Sequence, residues 1–236
     1  LNGEDLSFND YSHADFSGSD LRNTSLIGAN LSSAKLSRPY KQGLDSLNPN
    51  TKLNNADLSF ANLSNSDLNY ADFTNATLIG ANLKDADIQQ ANFTKADLTN
   101  SDFSNSNLWD SSLVNVTAKN AKFNFLKEAS FLNDSNFENS QFIESNLRFT
   151  NLNGSDFSNS DLRSADFSFS SLTNAKFDNS DLGYTDIDNI TKFENSDLTN
   201  STFVNSNLPE ANFINATIDY ADFTNAHLAG ARFESS

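Results

Sequence analysis

One spacing constrains this chain more than any other property. A small residue, Ala or Ser, is followed by Asp or Asn, then by Leu or Phe, then by two variable residues, and the unit recurs almost end to end. It is plain in Ala56-Asp57-Leu58-Ser59-Phe60 and Ala61-Asn62-Leu63-Ser64-Asn65. With the large apolar residue as the centre, a first run passes through Leu6, Tyr11, Phe16, Leu21, Leu26, Leu31 and Leu36. A second holds from Leu53 to Phe123 with Ala118 as its weak member, a third from Phe137 through Phe142, Leu147 and Leu152 to Ile187, and a fourth from Phe193 to Phe233. Neither common element accepts a period of five. On an α-helix it advances successive apolar residues by about 140°, which smears any stripe, and on a strand it reverses the face at every repeat.

The pattern is satisfied when each repeat forms one short side of a coil, with the centre and the small residue two positions earlier both pointing inward. The chain then turns a corner every repeat. Gly28, Gly80, Gly154 and Gly230, with Asn23, Asn75, Asn100 and Asn225, all lie two residues after a centre, where a type II turn needs φ > 0. These residues resemble the pentapeptide-repeat family, whose motif is A(D/N)LXX. The resemblance implies an all-β fold, a right-handed quadrilateral parallel β-helix with four repeats per coil, as a single domain over residues 1–236.

Four repeats per coil place residues 20 apart in one stack, and the aromatic residues follow that spacing. Phe137, Phe157 and Phe177 fall on one line, as do Phe73 with Phe93, Phe103 with Phe123, and Phe203 with Phe223. The alternation Phe157, Leu162, Phe167, Leu172, Phe177 puts phenylalanine on opposite faces. At about 4.8 Å per coil, about eleven coils give a rod on the order of 50 Å long. Burying one Leu or Phe contributes about 1.5–3 kcal/mol, whereas ordering a backbone costs about 1–2 kcal/mol per residue. One repeat cannot stand alone, so stability comes from stacking.

Three breaks interrupt the period. Leu36 to Leu53 is 17 steps, two more than three repeats, and reads as a loop excursion over 37–52. Phe123 to Phe137 is 14 steps, one short of three repeats, with Phe125, Leu126, Phe131 and Leu132 crowding a register break near 124–136. One residue is inserted near 188–192. If the coil count continues through it, Phe193 and Phe203 move to the faces of Leu172 and Leu182.

Composition narrows the chemistry. The net charge of −16 opposes direct binding to nucleic acid. No apolar run approaches the length of a membrane span, so a soluble chain without membrane insertion is expected. Cysteine is absent, which removes disulfides and thiolate ligands. The sequence opens at Leu1 without an initiator methionine, so a removed leader is compatible with it, and the compartment is left open between cytoplasm, periplasm and thylakoid lumen. His13 and His227 are the two histidines, in distant coils facing outward; neither a triad nor a zinc site follows. The Asp residues before the centres lack the glycine-rich turns of calcium-binding repeats. No catalytic residue, metal or cofactor is expected.

What the repeat does not explain marks the candidate partner contacts. Arg38, Tyr40 and Lys41 in the excursion differ from the acidic rod. Trp109 directly follows a centre, and Phe60, Tyr70, Phe149, Phe169, Tyr184 and Tyr220 sit two after one, with Phe149 and Phe169 expected to stack. Stacking also predicts an acidic strip in which Asp161 adjoins Asp181 on one face, Asp166 adjoins Asp186 on the next, and Asp222 extends the first. Lys176, Lys192 and Arg232 are assigned to other positions. The expected function is a non-catalytic structural or protein-interaction solenoid with an unidentified protein partner, its open coil ends suited to an end-to-end homodimer. The family resemblance supplies cyanobacterial homes for such proteins. It also supplies an alternative, an acidic DNA mimic that binds a DNA-handling protein such as DNA gyrase.

Overall fold

A computed structural model describes residues 1–37, 50–124, 126, 132–186 and 188–236. Its β-structure consists of single-residue bridges, nearly all parallel, and each parallel one is made by the residue just before a centre. Asp57 pairs with Thr77, Asn62 with Asn82, Asp67 with Asp87 and Asp72 with Asn92, all 20 residues apart, so four repeats close one coil. Cross-coil hydrogen bonds flank each bridge, as in Leu58 N to Thr77 O at 2.7 Å and Thr77 N to Ala56 O at 2.9 Å. Corners close with the amide after the turn donating back to the centre's carbonyl, Ala29 N to Leu26 O at 3.0 Å for example. Positive φ falls on the second variable residue, 61° at Gly28 and 60° at Asn100. That assignment of the backbone explains why Asn and Gly recur there.

The four sides are numbered from the one carrying Leu26, and each corner takes the number of the face before it. The first face stacks Leu58, Leu78, Leu98, Ala118, Phe137, Phe157 and Phe177; the second follows through Leu63, Leu83, Phe103, Phe123 and Phe142. The third carries Leu68, Ile88, Leu108, Leu147 and Phe167, and the fourth Leu53, Phe73, Phe93, Leu113, Leu132 and Leu152. All of these side chains are buried. The expected ring stacks are present: Phe73 on Phe93 at 4.5 Å, Phe103 on Phe123 at 5.0 Å, Phe137 on Phe157 at 5.1 Å, Phe157 on Phe177 at 5.3 Å and Phe203 on Phe223 at 4.8 Å. Opposite faces meet edge to face, Phe167 against Phe177 at 5.7 Å and 83°. Coil spacing of about 4.8 Å thus delivers rings within their preferred contact range.

At the breaks, two of the register readings change. Asp20 pairs with Lys52 and Lys35 with Asp67, 32 apart rather than 20. Leu36 and Leu53 are therefore consecutive centres on adjacent faces although 17 steps separate them. Asp166 likewise pairs with Lys192 and Asp181 with Asn207, 26 apart. Leu182 and Phe193 are consecutive centres, six residues are extruded rather than one, and Ile187, read as a centre, lies outside the described residues. Phe193 consequently stays on Phe167 at 5.0 Å and Phe203 on Phe177 at 4.8 Å, instead of moving to the leucine faces. Keeping phenylalanine on phenylalanine retains both the burial and the ring geometry, while a corner loop faces water. Near 124–136 the pairs Thr117 with Asn136 and Lys122 with Gln141 are 19 apart, a one-residue contraction. Leu126 and Leu132 are buried there; Phe125 and Phe131 lie outside the described residues.

A shared device closes both extrusions. The position two before a centre, usually Ala or Ser, is Thr51 after the first and Thr191 after the second. The Thr51 hydroxyl lies 3.1 Å from both Ser37 O and Phe16 O and accepts from Gly18 N at 2.8 Å. Thr191 reaches Gly183 O at 2.9 Å and Leu162 O at 3.3 Å. Each threonine thus ties the point where the chain leaves the coil to the coil before it.

Candidate interaction surface

Outward positions are mostly short polar residues, and the corners mostly Asn. The Asn205 side chain donates to Asn179 at 3.3 Å and Asn225 to Asn205 at 3.2 Å, a ladder up the first corner. The third corner differs. Its column runs Gly18, Tyr70, Gln90, Asp110, Phe149, Phe169, Asn195 and Asn215, linked by bonds such as Gln90 N to Trp109 O and Phe169 N to Glu194 O. Phe149 and Phe169 stack as expected, centroids 4.9 Å apart and 12° from parallel, and are 70% and 44% exposed. Arg148 lies 5.5 Å and 5.4 Å from the two centroids, a cation–π arrangement. The sequence reading missed this arginine. Its signal was available, because it directly follows centre Leu147, the position that singled out Trp109.

Trp109 occupies the same variable position on the same corner, two coils earlier, and is half-exposed. Ser37, the last described residue before Asn50, begins this same corner. Arg38, Tyr40 and Lys41 themselves lie outside the described residues. Other exposed aromatic residues are elsewhere. Phe8 and Phe60 on the first corner lie over Gly28 and Gly80, where an added Cβ would come within 2.9 Å and 2.8 Å of the rings. The absence of a Cβ at each glycine is what leaves room for the ring above it. Tyr184 belongs to the second extrusion and Tyr220 to the fourth corner.

The acidic strip is only partly as expected. Asp161 and Asp181 are bridge partners on the second face, but Arg163 inserts between them, 2.7 Å from Asp161 and 3.9 Å from Asp181. The bond to Asp161 raises the guanidinium's already high pKa, and its single positive charge offsets half the charge of the pair. Asp166 does not adjoin Asp186. Its bridge partner is Lys192, 4.0 Å away in the ion pair, with Arg148 at 3.9 Å. Asp186 instead bridges Asn189 within the extruded segment. Asp222 is likewise not on the Asp161 line, which continues to Asn207 and His227; it ends the first-face line Asp156, Lys176, Thr202. Six extruded residues in place of one move every later column by one face.

The second extrusion is held on its corner by Ser164, which bonds Asn189 O and Thr185 N, and by Thr185 donating to Glu144 at 2.7 Å. His13 and His227 are both exposed, the latter 3.1 Å from Asn207. Among the described residues, no group of three or more His, Cys, Asp or Glu is placed to hold a metal ion, and no helix is long and apolar enough to cross a membrane.

The chain matches the family described as pentapeptide repeats over residues 5–38, 56–94, 91–124, 128–159, 155–190 and 196–234. Among solved structures it is similar to HetL, a pentapeptide repeat protein involved in heterocyst differentiation regulation from the cyanobacterium Nostoc sp. strain PCC 7120. The two share 25% identity over 98% of this chain and 92% of that one, with a TM-score of 0.50. Full-length QnrB1, a plasmid-mediated fluoroquinolone resistance protein, is 22% identical over 83% of this chain and 89% of its own, TM-score 0.40. Rfr23 from the cyanobacterium Cyanothece 51142 is 16% identical over 92% of this chain and 86% of its own, TM-score 0.21. No curated protein sequence matches the chain.

Proposed function

This chain belongs to the pentapeptide-repeat family, a right-handed β-helix, and we propose that it serves as a non-catalytic protein-interaction solenoid whose contact surface is the third corner. The observation that carries this reading is the exposed Phe149–Phe169 stack beneath Arg148. Large aromatic residues and arginine dominate the energetics of protein interfaces, and a stacked aromatic pair that faces water on a rod covered mostly by short polar residues is costly unless something covers it. Trp109 widens the surface in this reading, and Arg38, Tyr40 and Lys41 are proposed as further contacts because they follow Ser37 in sequence. Asp161, Asp181, Asp166 and Asp186 form no continuous strip, and they drop to rim contacts at most.

HetL is involved in heterocyst differentiation regulation; a regulatory role exerted through contact is in keeping with the surface proposed for this chain. The DNA-mimic alternative draws on the charge of −16, but Arg163, Lys192 and Lys176 interrupt the acidic columns it would need. Affinity capture followed by titration of the purified captured protein tests the interaction reading. A saturable complex weakened by changing Phe149 and Phe169 to Asn is expected. Turnover of a substrate by the isolated chain, with no saturable partner, would overturn it. Inhibition of gyrase supercoiling by micromolar protein would instead favour the mimic.

A further inference from the structure

Phe149 and Phe169 stand where phenylalanine is least at ease. Both have positive φ, 58° and 63°, a region that penalises side chains other than Gly and, less severely, Asn. On the same corner Asn195 and Asn215 meet that demand directly. Neither ring recovers the cost by burial, since both remain exposed and pack on each other and on Arg148.

The charge beside the rings is specific. Among the described residues Asp166 is the one carboxylate paired with Arg148, at 3.9 Å, and it is shared with Lys192 at 4.0 Å, so two described cations stand against one acid. Glu194, on the next coil, is turned to Asn212. The Arg148 guanidinium makes no hydrogen bond among the described residues, although its side chain is 42% exposed. A guanidinium resting on aromatic faces keeps its N–H fork available to a planar carboxylate, which it binds with two parallel hydrogen bonds. The rings beside it offer an apolar surface, and drying that surface strengthens the ion pair. A basic segment would meet Arg148 and Lys192 instead.

We propose that the Phe149–Phe169 ledge under Arg148 docks a protein segment carrying a carboxylate next to an aromatic or aliphatic side chain. This rests on the reading of the protein as an interaction solenoid and names the chemistry of the partner at that surface. The long-range repulsion from the rest of the chain is limited, because exposed charges are screened beyond about 8 Å at physiological salt.

Three fluorescein-labelled peptides serve as probes, each alternating Phe or Leu with Glu, with Gln or with Lys, titrated by fluorescence anisotropy near physiological salt. The Glu peptide is expected to bind saturably and about tenfold more tightly than the Gln peptide, with the Lys peptide weakest. Arg148→Gln should remove that preference and Arg148→Glu should invert it. The double variant Phe149→Asn with Phe169→Asn should lose binding of every peptide, and it stays folded by circular dichroism because Asn suits both corners. The proposal falls if the Lys peptide binds wild type best, if none of the three binds saturably, or if Glu-peptide binding survives either the charge reversal or the double variant. A protein partner captured with unchanged affinity by these variants would overturn this proposal and the third-corner surface with it, while leaving the protein an interaction solenoid.

Discussion

The rod has one backbone and two cores. From Leu21 to Leu98 the inward column residues are leucine with Ile88, Phe73 and Phe93 as exceptions, whereas from Phe157 onward the first and third faces are phenylalanine throughout and the second and fourth are leucine or isoleucine. In the second region each inner ring stacks on its neighbour 20 or 26 residues away and meets the opposite column edge to face, as Phe193 does with Phe213 at 4.9 Å and Phe203 at 5.7 Å. Leucine columns have no such directional contact. Yet both regions keep like on like inside across a sequence insertion, Leu53 over Leu21 and Phe193 over Phe167. Register is therefore set by burial and cross-coil hydrogen bonds in both, and ring geometry adds to a preference already present.

The largest expected effect tests what the rings add. Phe177→Ala should cost about 3–5 kcal/mol for lost burial and cavity, and more for stacks with Phe157 and Phe203, each worth about 0.5–1.5 kcal/mol. Leu63→Ala in the other core should cost less, about 2–4 kcal/mol. Guanidinium unfolding midpoints decide; equal or reversed costs would show that the ladder contributes nothing beyond its area.

Next come the threonine ties. Thr51→Val and Thr191→Val each leave buried carbonyls short of a donor and should cost about 1–2 kcal/mol. The two should be similar, because in both cores the hydroxyl reaches two backbone carbonyls, with Thr51→Val the costlier because it also removes the acceptor of Gly18 N; a several-fold difference in thermal or chemical stability would break the equivalence. Removing residues 185–190 restores a five-residue step between Leu182 and Phe193, with Tyr184 at the corner and Thr191 before the centre. Only the corner bonds of Ser164 and Thr185 are lost, so a cost of about 1–2 kcal/mol is expected. Near-ultraviolet circular dichroism should keep the phenylalanine signature, and its collapse would mean that the extruded segment supports the stack.

Smaller still is Phe149→Asn, which relieves an aromatic residue at positive φ and should raise stability by up to about 1 kcal/mol. Phe60→Asn should gain less, because that ring covers Gly80. Acid supplies the smallest test. Hydrogen bonds from Ser7 to Asp5, Ser12 to Asp10, Ser17 to Asp15 and Arg22 to Asp20 hold four carboxyls of the first coil below the usual range, while in the phenylalanine region Thr199 and Thr224 do so for Asp197 and Asp222. A lowered folded pKa contributes stability above the unfolded value of about 4 and loses it as pH falls through the folded value. Below about pH 4, amide exchange in the first coil should rise before exchange around Phe177. Uniform exchange would remove this distinction between the regions.

The repeat alone determined the inward column and the αL corners, because each follows from which residue types recur at five; the four-sided coil came from the family resemblance, and phenylalanines recurring at 20 supported it. It also located Phe149 on Phe169. What it left undecided was how many repeats an insertion swallows. Seventeen steps from Leu36 to Leu53 serve equally as three repeats plus two residues or one repeat plus 12, and the run to Phe193 serves as a one-residue or a six-residue surplus. Spacing counts only remainders, whereas the fold pays attention to which coil lies above which. Bridges such as Asp20 with Lys52 and Asp166 with Lys192 join residues distant in sequence, and so do the contacts that bring Arg148 over two rings and Arg163 between Asp161 and Asp181. Those depend on long-range stacking energy, and only the folded rod supplied it.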